Sequence, residues 1–429
     1  MATHVFNTLT GIKEPFAPLA AGRVKMYVCG PTVYADPHLG HARSAVVFDV
    51  VRRWFSAKGY AVTYVRNITD IDDKIIAKAG RQNQDFRKLS AHFNRRYGQA
   101  MKRLNVLPPD VEPKATDYIL PIQVFIAKLV QGGHAYRSGG DVYFSVATFD
   151  GYGKLSRRQV QTPPADNRAL PPTGKRNPAD FALWKKSKLG EPSWPSPWGC
   201  GRPGWHIECS AMSAELLGGN FDIHGGGADL IFPHHENEIA QSQSLFGKTP
   251  ANYWLHHGLV QINGEKMSKS LGNSLKLNDL LEVCPPAAIR LQMLSKRYRH
   301  PLDFSPSALR AAAMSAARLQ RFFERREMPF IPPTLTGRRH GNLWSQFRQA
   351  MDDDFNFPRA LAVLFEGMRR INRCRQNASN AGDMEDAGDL RLTMANLHYL
   401  YREVLGFGID SCTAVPKRLP LKEGVAGAV

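Results

Sequence analysis

Apolar and polar positions along the chain change period several times. Val24, Met26 and Val28 alternate with other residues in a short apolar run, which predicts a buried strand stopping at Cys29-Gly30-Pro31. After a loop, Val47, Val50, Val51, Trp54, Phe55 and Lys58 recur at helical spacing until Gly59. Val62, Tyr64 and Ile68 alternate in a second strand, Tyr60 to Ile68. Residues 85–133 read as helices broken at Val106-Leu107-Pro108-Pro109. Ala135-Tyr136 and Asp141 to Val146 then predict a hairpin turning at Ser138-Gly139-Gly140. The stretch from Arg157 to Pro178 is rich in Pro, Arg and polar residues. Strands are predicted again before Gly225-Gly226-Gly227 and from Tyr253 to Gln261, with a helix after Pro233 between them. Past Leu280 the pattern is helical, with a start at Ser305-Pro306, a break from Met328 to Pro333, and helices at about 341–352, 358–379 and 389–405.

Strand, loop, helix, strand is the order of an α/β nucleotide fold. The expected class is therefore a Rossmann-like parallel sheet, interrupted by an insertion and followed by an all-α helical bundle.

Composition narrows the partner. Fifty-six Lys and Arg against 38 Asp and Glu leave a formal charge of +18 over 429 residues. That surplus suits a polyanion. Between residues 306 and 380 there are 13 Arg, no Lys and 6 acidic residues, and the guanidinium fork suits phosphate. Six cysteines, at 29, 200, 209, 284, 374 and 412, give no disulfide framework and fit a reducing compartment. The N-terminus shows no basic segment leading into an apolar core, and no apolar run approaches membrane-span length, so a cytoplasmic protein is expected.

Candidate chemistry sits at strand ends. His38 and His41 flank Gly40 at the predicted start of a helix, where unpaired amides favour negative charge. The two imidazoles could donate hydrogen bonds to a phosphate whose charge rises in a transition state. Gly226 and Gly227 allow close approach of an adenosine, and Asp229 could bond a ribose hydroxyl or an amine. Asp70, Asp72 and Asp73 are assigned to a helix N-terminus rather than to a metal. His234 and Glu238, four apart on one helix face, make half of a zinc site. Cys29 and Cys209 are the thiolates that could complete it, although free cysteines also serve as small buried hydrophobes. Lys266 and Lys269 lie on a short loop between glycines.

Pro37-His38-Leu39-Gly40-His41 resembles the HIGH motif of class I aminoacyl-tRNA synthetases, and Glu265-Lys266-Met267-Ser268-Lys269-Ser270 resembles their KMSKS loop. Together with Asn67 to Lys74 and Gly204-Trp205-His206-Ile207-Glu208-Cys209, they resemble the cysteinyl-tRNA synthetase family, from about residue 5 to about 407. The resemblance implies activation of L-cysteine by ATP with Mg2+ and transfer to tRNA(Cys). It implies one Zn2+ per chain on Cys29, Cys209, His234 and Glu238, selecting the cysteine thiolate over serine. Lys266 and Lys269 would close over the ATP phosphates with His38 and His41. Thr69 and Trp205 would wall the cysteine pocket, with His235 beside it.

The same resemblance suggests how the chain divides. Residues 1–85 and 201–275 would form the two halves of the catalytic domain, 86–200 the connective insertion, 276–305 a stem-contact junction, and 306–406 a tRNA-binding bundle. Residues 407–429 would be a short tail, with the family's anticodon module missing or reduced to a stub. A monomer is expected. Two other readings stay open: a mycothiol-pathway ligase joining cysteine to an amino sugar, and a catalytically silent RNA-binding paralogue.

Overall fold

Strand patterning becomes a four-stranded parallel sheet because its members bury both faces. In the computed structural model, which describes residues 2–159, 174–262, 264–266, 275–324, 341–378 and 387–408, a short hairpin of β1 (His4–Asn7) and β2 (Ile12–Pro15) precedes it. The chain then runs through β3 (Arg23–Val28), α1 (Leu39–Ala57) and β4 (Ala61–Arg66), the first β-α-β unit. Helices α2 (Asp73–Arg81), α3 (Phe86–Arg103) and α4 (Ile119–Gln131) follow. An antiparallel sheet, ordered β5-β6-β7-β8, comes next: β5 (Ala135–Ser138), β6 (Asp141–Phe144), β7 (Phe181–Lys186) and β8 (Gly201–Pro203). The hairpin of β5 and β6 was legible in sequence. Its two partners, at Phe181 and Gly201, were not, because tryptophans, prolines and glycines there hide any alternation.

The chain returns to the parallel sheet through α5 (Trp205–Leu217), β9 (Phe221–Gly227), α6 (Glu236–Phe246) and β10 (Ala251–His257). The order is β10-β9-β3-β4, with β3 pairing in parallel to both β4 and β9. The single strand expected from Tyr253 to Gln261 is in fact two, since β11 (Val260–Ile262) leaves the sheet to pair with β12 (Glu265–Lys266) and β13 (Leu302–Asp303). Between them lie α7 (Leu277–Val283) and α8 (Pro286–Leu294). The bundle is α9 (Pro306–Phe323), α10 (Asn342–Asp352), α11 (Phe357–Ala378) and α12 (Ala387–Tyr399). Ser305 caps α9 as its sequence suggested, accepting from Ala308 N–H at 3.3 Å. Among the described residues no helix is long and apolar enough to cross a membrane.

Helix α1 is the hub. It is packed against the sheet on one side and against α8 and the bundle on the other, so residues all round it are buried, including Phe48, Val50, Trp54 and Phe55. Phe48 lies so close over Gly225 that a side chain at 225 would collide with the ring. One continuous apolar cluster runs from Val5 through α1 to Leu405 and Phe407, while the insertion has its own, around Phe125, Phe144 and Trp184.

Buried charge also crosses this apolar hub. Asp49, 1% exposed, accepts from Arg53 Nε at 2.9 Å and from Leu107 N–H at 3.0 Å, and pairs with the buried Arg290 of α8. Arg290 also donates to the carbonyls of Leu405 at 2.6 Å and Leu104 at 3.0 Å. The cluster thus ties α1, α3, α8 and the end of the bundle together. Asp352, Asp353 and Asp354 make a second tie: Thr3 and Lys58 donate to Asp352, and Tyr298 and Arg299 to Asp354. Replacing Asp49 by Asn leaves Arg53 and Arg290 facing each other without a balancing charge. The expected loss is about 3–5 kcal/mol of unfolding free energy, read from urea unfolding. A loss below about 1 kcal/mol would show that the pair is not needed for docking.

Candidate active site

The carboxyl ends of a parallel sheet leave a crevice where loops diverge. Here the crevice is a cavity of about 330 Å³ whose lining includes Cys29, His38, His41, Trp205, Asp229 and His257. Gly40 and Gly227 line it as well, as the sequence suggested.

His38 is the N-cap of α1. Its Nδ1 accepts from Gly40 N–H at 3.1 Å, and His41 Nδ1 accepts from His38 N–H at 3.3 Å. A ring nitrogen that accepts from an amide carries no proton, so in each neutral imidazole the N–H is on Nε2. The rings stack with centroids 3.8 Å apart. Both therefore present donors at the helix N-terminus, where anions are favoured.

Cys29 lines the cavity, and the other expected metal donors are buried directly behind it. Cys29 Sγ lies 3.7 Å from Cys209 Sγ and 3.5 Å from Glu238 Oε1, and His234 Nε2 is 3.1 Å from that same oxygen. Cys29 ends β3, Cys209 sits on α5, and His234 and Glu238 lie on either side of the start of α6. All four donor atoms fall within 4.8 Å of one another. A helix after Pro233 was expected, and α6 begins at Glu236, after a wide turn over Ile231–His235. That turn still delivers His234 to Glu238.

Burial and mutual contact set the charges in this cluster. Hydrogen bonding to Cys29 draws the Cys209 thiol down to about 6, whereas burial and the Cys209 thiolate push Cys29 well up. Burial raises Glu238, but the neighbouring His224 and His234 prevail and hold its carboxyl at about 2. Burial likewise lowers His234, yet the Cys209 and Glu238 anions lift it to about 10. The cluster thus stores anionic donors that call for a cation.

Further histidines hydrogen-bond to these donors or lie against them, and most of them were not foreseen from sequence. His224 Nε2 is 2.9 Å from Glu238 Oε2, and His206 Nδ1 is 2.9 Å from His234 Nδ1. His235 Nδ1 meets His256 Nε2 at 2.7 Å, and His256 Nδ1 meets Thr8 Oγ1 at 2.8 Å. Cys29, His224, His235 and Glu238 form an alternative set of four donors within 4.8 Å. The available signal was that His224 and His256 stand at inward strand positions usually filled by apolar residues.

Three expected site residues lie behind the wall rather than in it. Thr69, 2% exposed, donates to Glu208 Oε2 at 3.1 Å. The chain after β4 keeps pairing in parallel with the Pro31-Thr32 stretch, which covers it. His235 is fully buried, with Nε2 3.3 Å from Cys29 Sγ. Gly226 faces that ring: a Cβ there would come 2.7 Å from His235 Cε1, so its bareness serves packing, not an adenosine. Trp205 lines the cavity and stacks on His234 at 4.3 Å. Asp72 caps α2, and Asp73 pairs with Lys185 and Arg202, as expected for a helix start rather than a metal. Lys266 is described only as backbone in β12, and Lys269 lies outside the described residues.

Arg43 was not foreseen, since a cation on a buried helix face has no sequence signal. Fully buried, it donates to the carbonyls of Gly258, Met293, Tyr298 and His300 at 2.9–3.1 Å. It thereby holds α1, two residues past His41, against the segment that leads into β11 and β13.

Comparison with known proteins agrees with this geometry. Residues 15–314 match the model of the tRNA synthetases class I (C) catalytic domain, and residues 346–409 match the DALR domain. A cysteine–tRNA ligase of Halorhodospira halophila is 50% identical over 400 residues, covering 93% of this chain and 86% of that relative. One from Thermococcus gammatolerans is 48% identical over 388 residues, covering 87% and 80%. Among solved structures, Mycobacterium tuberculosis methionyl-tRNA synthetase in complex with methionyl-adenylate superposes with a TM-score of 0.63 at 16% identity, covering 89% of this chain and 91% of that one, a likeness of fold. By catalytic-domain match and by identity over most of its length, the chain belongs to the cysteine–tRNA ligase family of class I tRNA synthetases.

Proposed function

We propose that the protein is a cysteine–tRNA ligase that selects its amino acid through a zinc ion held by Cys29, Cys209, His234 and Glu238. The observation that carries this is the convergence of those four donors where Cys29 and Trp205 line the cavity. Tetrahedral zinc with bonds of about 2.0–2.3 Å has donors about 3.3–3.8 Å apart. The separations of 3.7, 3.5 and 3.1 Å fit with little adjustment. The alternative set replaces Cys209 and His234 by His224 and His235, and the preferred set is favoured because Trp205, which lines the cavity, stacks on His234. When bound, zinc supplies a Lewis acid to which a cysteine thiolate binds far better than a serine hydroxyl.

The protein's own groups do the rest. With the substrate thiol on the floor of the cavity, its carboxylate attacks the α-phosphorus of ATP. A new P–O bond forms as the bond to pyrophosphate breaks, giving cysteinyl-adenylate. His38 and His41 donate from Nε2 to phosphate oxygens as charge builds, and Lys266 and Lys269 neutralise charge on the phosphates, with magnesium carried by the ATP. Asp229 and Gly227 receive the nucleoside. In the second step the 3′-terminal ribose hydroxyl of tRNA(Cys) attacks the carbonyl carbon, and AMP leaves.

The division suggested by sequence is part of this reading: residues 1–85 and 201–275 hold the chemistry, 86–200 and 276–406 receive the RNA. The free thiols at Cys29, Cys200, Cys209, Cys284 and Cys374 fit a reducing cytoplasm, and one chain with one zinc is taken as the working unit. The amino-sugar ligase is not favoured, and the silent paralogue requires a lesion among the four donors and two histidines, where there is none.

Two substitutions test the assignment. Cys209→Ala should lose both bound zinc and cysteine-dependent ATP–pyrophosphate exchange while remaining folded; exchange by a metal-free Cys209→Ala protein contradicts the zinc assignment. Lys269→Ala should lower the exchange rate by about a hundredfold with little change in the cysteine concentration needed. An effect confined to cysteine affinity would remove that lysine from the transition state.

A further inference from the structure

Arg66 ends β4, the edge strand of the parallel sheet, and lines the cavity although it is only 5% exposed. Its Nη2 donates to Glu112 Oε1 at 2.7 Å, and its guanidinium carbon lies 5.1 Å over the Tyr97 ring. Tyr97 in turn packs edge-on against His41. Nε and Nη1 of Arg66 have no acceptor and are closed to water. Burial opposes the charge, but a guanidinium stays protonated, and the Glu112 carboxylate is its ion-pair partner. A permanent cation with two unsatisfied donors, beside a cavity that handles phosphates, is costly unless a ligand completes it.

We propose that Arg66 binds a phosphate oxyanion, that of the RNA's 3′-terminal nucleotide, during transfer. The proposal rests on the ligase reading above. A turn of the guanidinium on its side-chain torsions would bring Nε and Nη1 to the anion. ATP and the RNA end both offer phosphate, and position favours the RNA. The nucleoside wall, Gly227 and Asp229, lies at and just after the end of β9, whereas β4 lies two strands away, about 10 Å at ordinary strand spacing. The RNA end must reach the same carbonyl from a side that AMP does not fill. That side carries Arg66, the exposed Lys74, and the rings of Tyr34 and Tyr97, the mixture of cations and aromatic faces that suits a single-stranded nucleotide.

The test uses the full chain with Arg66→Gln, Arg66→Lys and Glu112→Gln. Two rates are measured: cysteine-dependent ATP–pyrophosphate exchange, and single-turnover transfer from preformed cysteinyl-adenylate over a series of tRNA(Cys) concentrations. For Arg66→Gln the expected result is a loss of transfer efficiency of about tenfold to hundredfold, the range for one charge-assisted contact, and at least ten times larger than any loss of exchange. Arg66→Lys should lie between, and Glu112→Gln should stay close to the unsubstituted protein. Parallel losses of exchange and transfer would place the anion on ATP or make Arg66 structural, and either overturns the proposal. The same holds if Glu112→Gln reproduces the selective loss, or if Arg66→Gln transfers normally. Absence of exchange in the unsubstituted protein would instead remove the ligase reading itself.

Discussion

Two thiols, a carboxylate and an imidazole brought into one nearly dry volume form the constraint around which this fold is arranged. Cys29, Cys209 and Glu238 are all potential anions, and burying them together is expensive unless a cation shares the space. His234 supplies only part of that charge. A divalent metal ion, as proposed above, would supply the rest. The donors come from three places, β3, α5 and the start of α6, and only a parallel sheet with its carboxyl ends aligned brings them together.

The catalytic half of the cavity depends on α1 in the same way. Its N-terminus orients His38 and His41, and its body is fixed by apolar packing and by two buried cations with different partners. Arg43 reaches the carbonyls of Gly258, Met293, Tyr298 and His300, and Arg290 reaches Asp49 and the carbonyl of Leu405. The first links the histidines to the strands that lead toward the lysine loop. The second links them to the bundle. The α1 helix is therefore the element through which the C-terminal helices and the cavity share one frame.

Much of this was legible in sequence where a residue's role follows from local pattern. The first β-α-β unit, the hairpin at Ser138-Gly139-Gly140 and the start at Ser305-Pro306 rest on periodicity and turn chemistry, and each appears close to its expected bounds. His234 and Glu238 were readable as a pair because four residues is one helical turn, although the turn before Glu236 is wide. What pattern alone left open depends on long-range contact. Cys29 and Cys209 could be joined only by analogy, Thr69 is covered by pairing with the Pro31-Thr32 stretch, and Arg43 and Arg66 are cations whose burial no local rule foresees. Residues whose partners are two hundred positions away are those that sequence reads least well.

On the proposal above, the substrate's sulfur would bind the metal that Cys29, Cys209, His234 and Glu238 would hold. Zinc K-edge X-ray absorption of the purified protein measures this most directly, with and without cysteine and with serine as the control. The account predicts two sulfur neighbours in the free protein, three when cysteine is added, and two when serine is added. An unchanged sulfur count on adding saturating cysteine would contradict it.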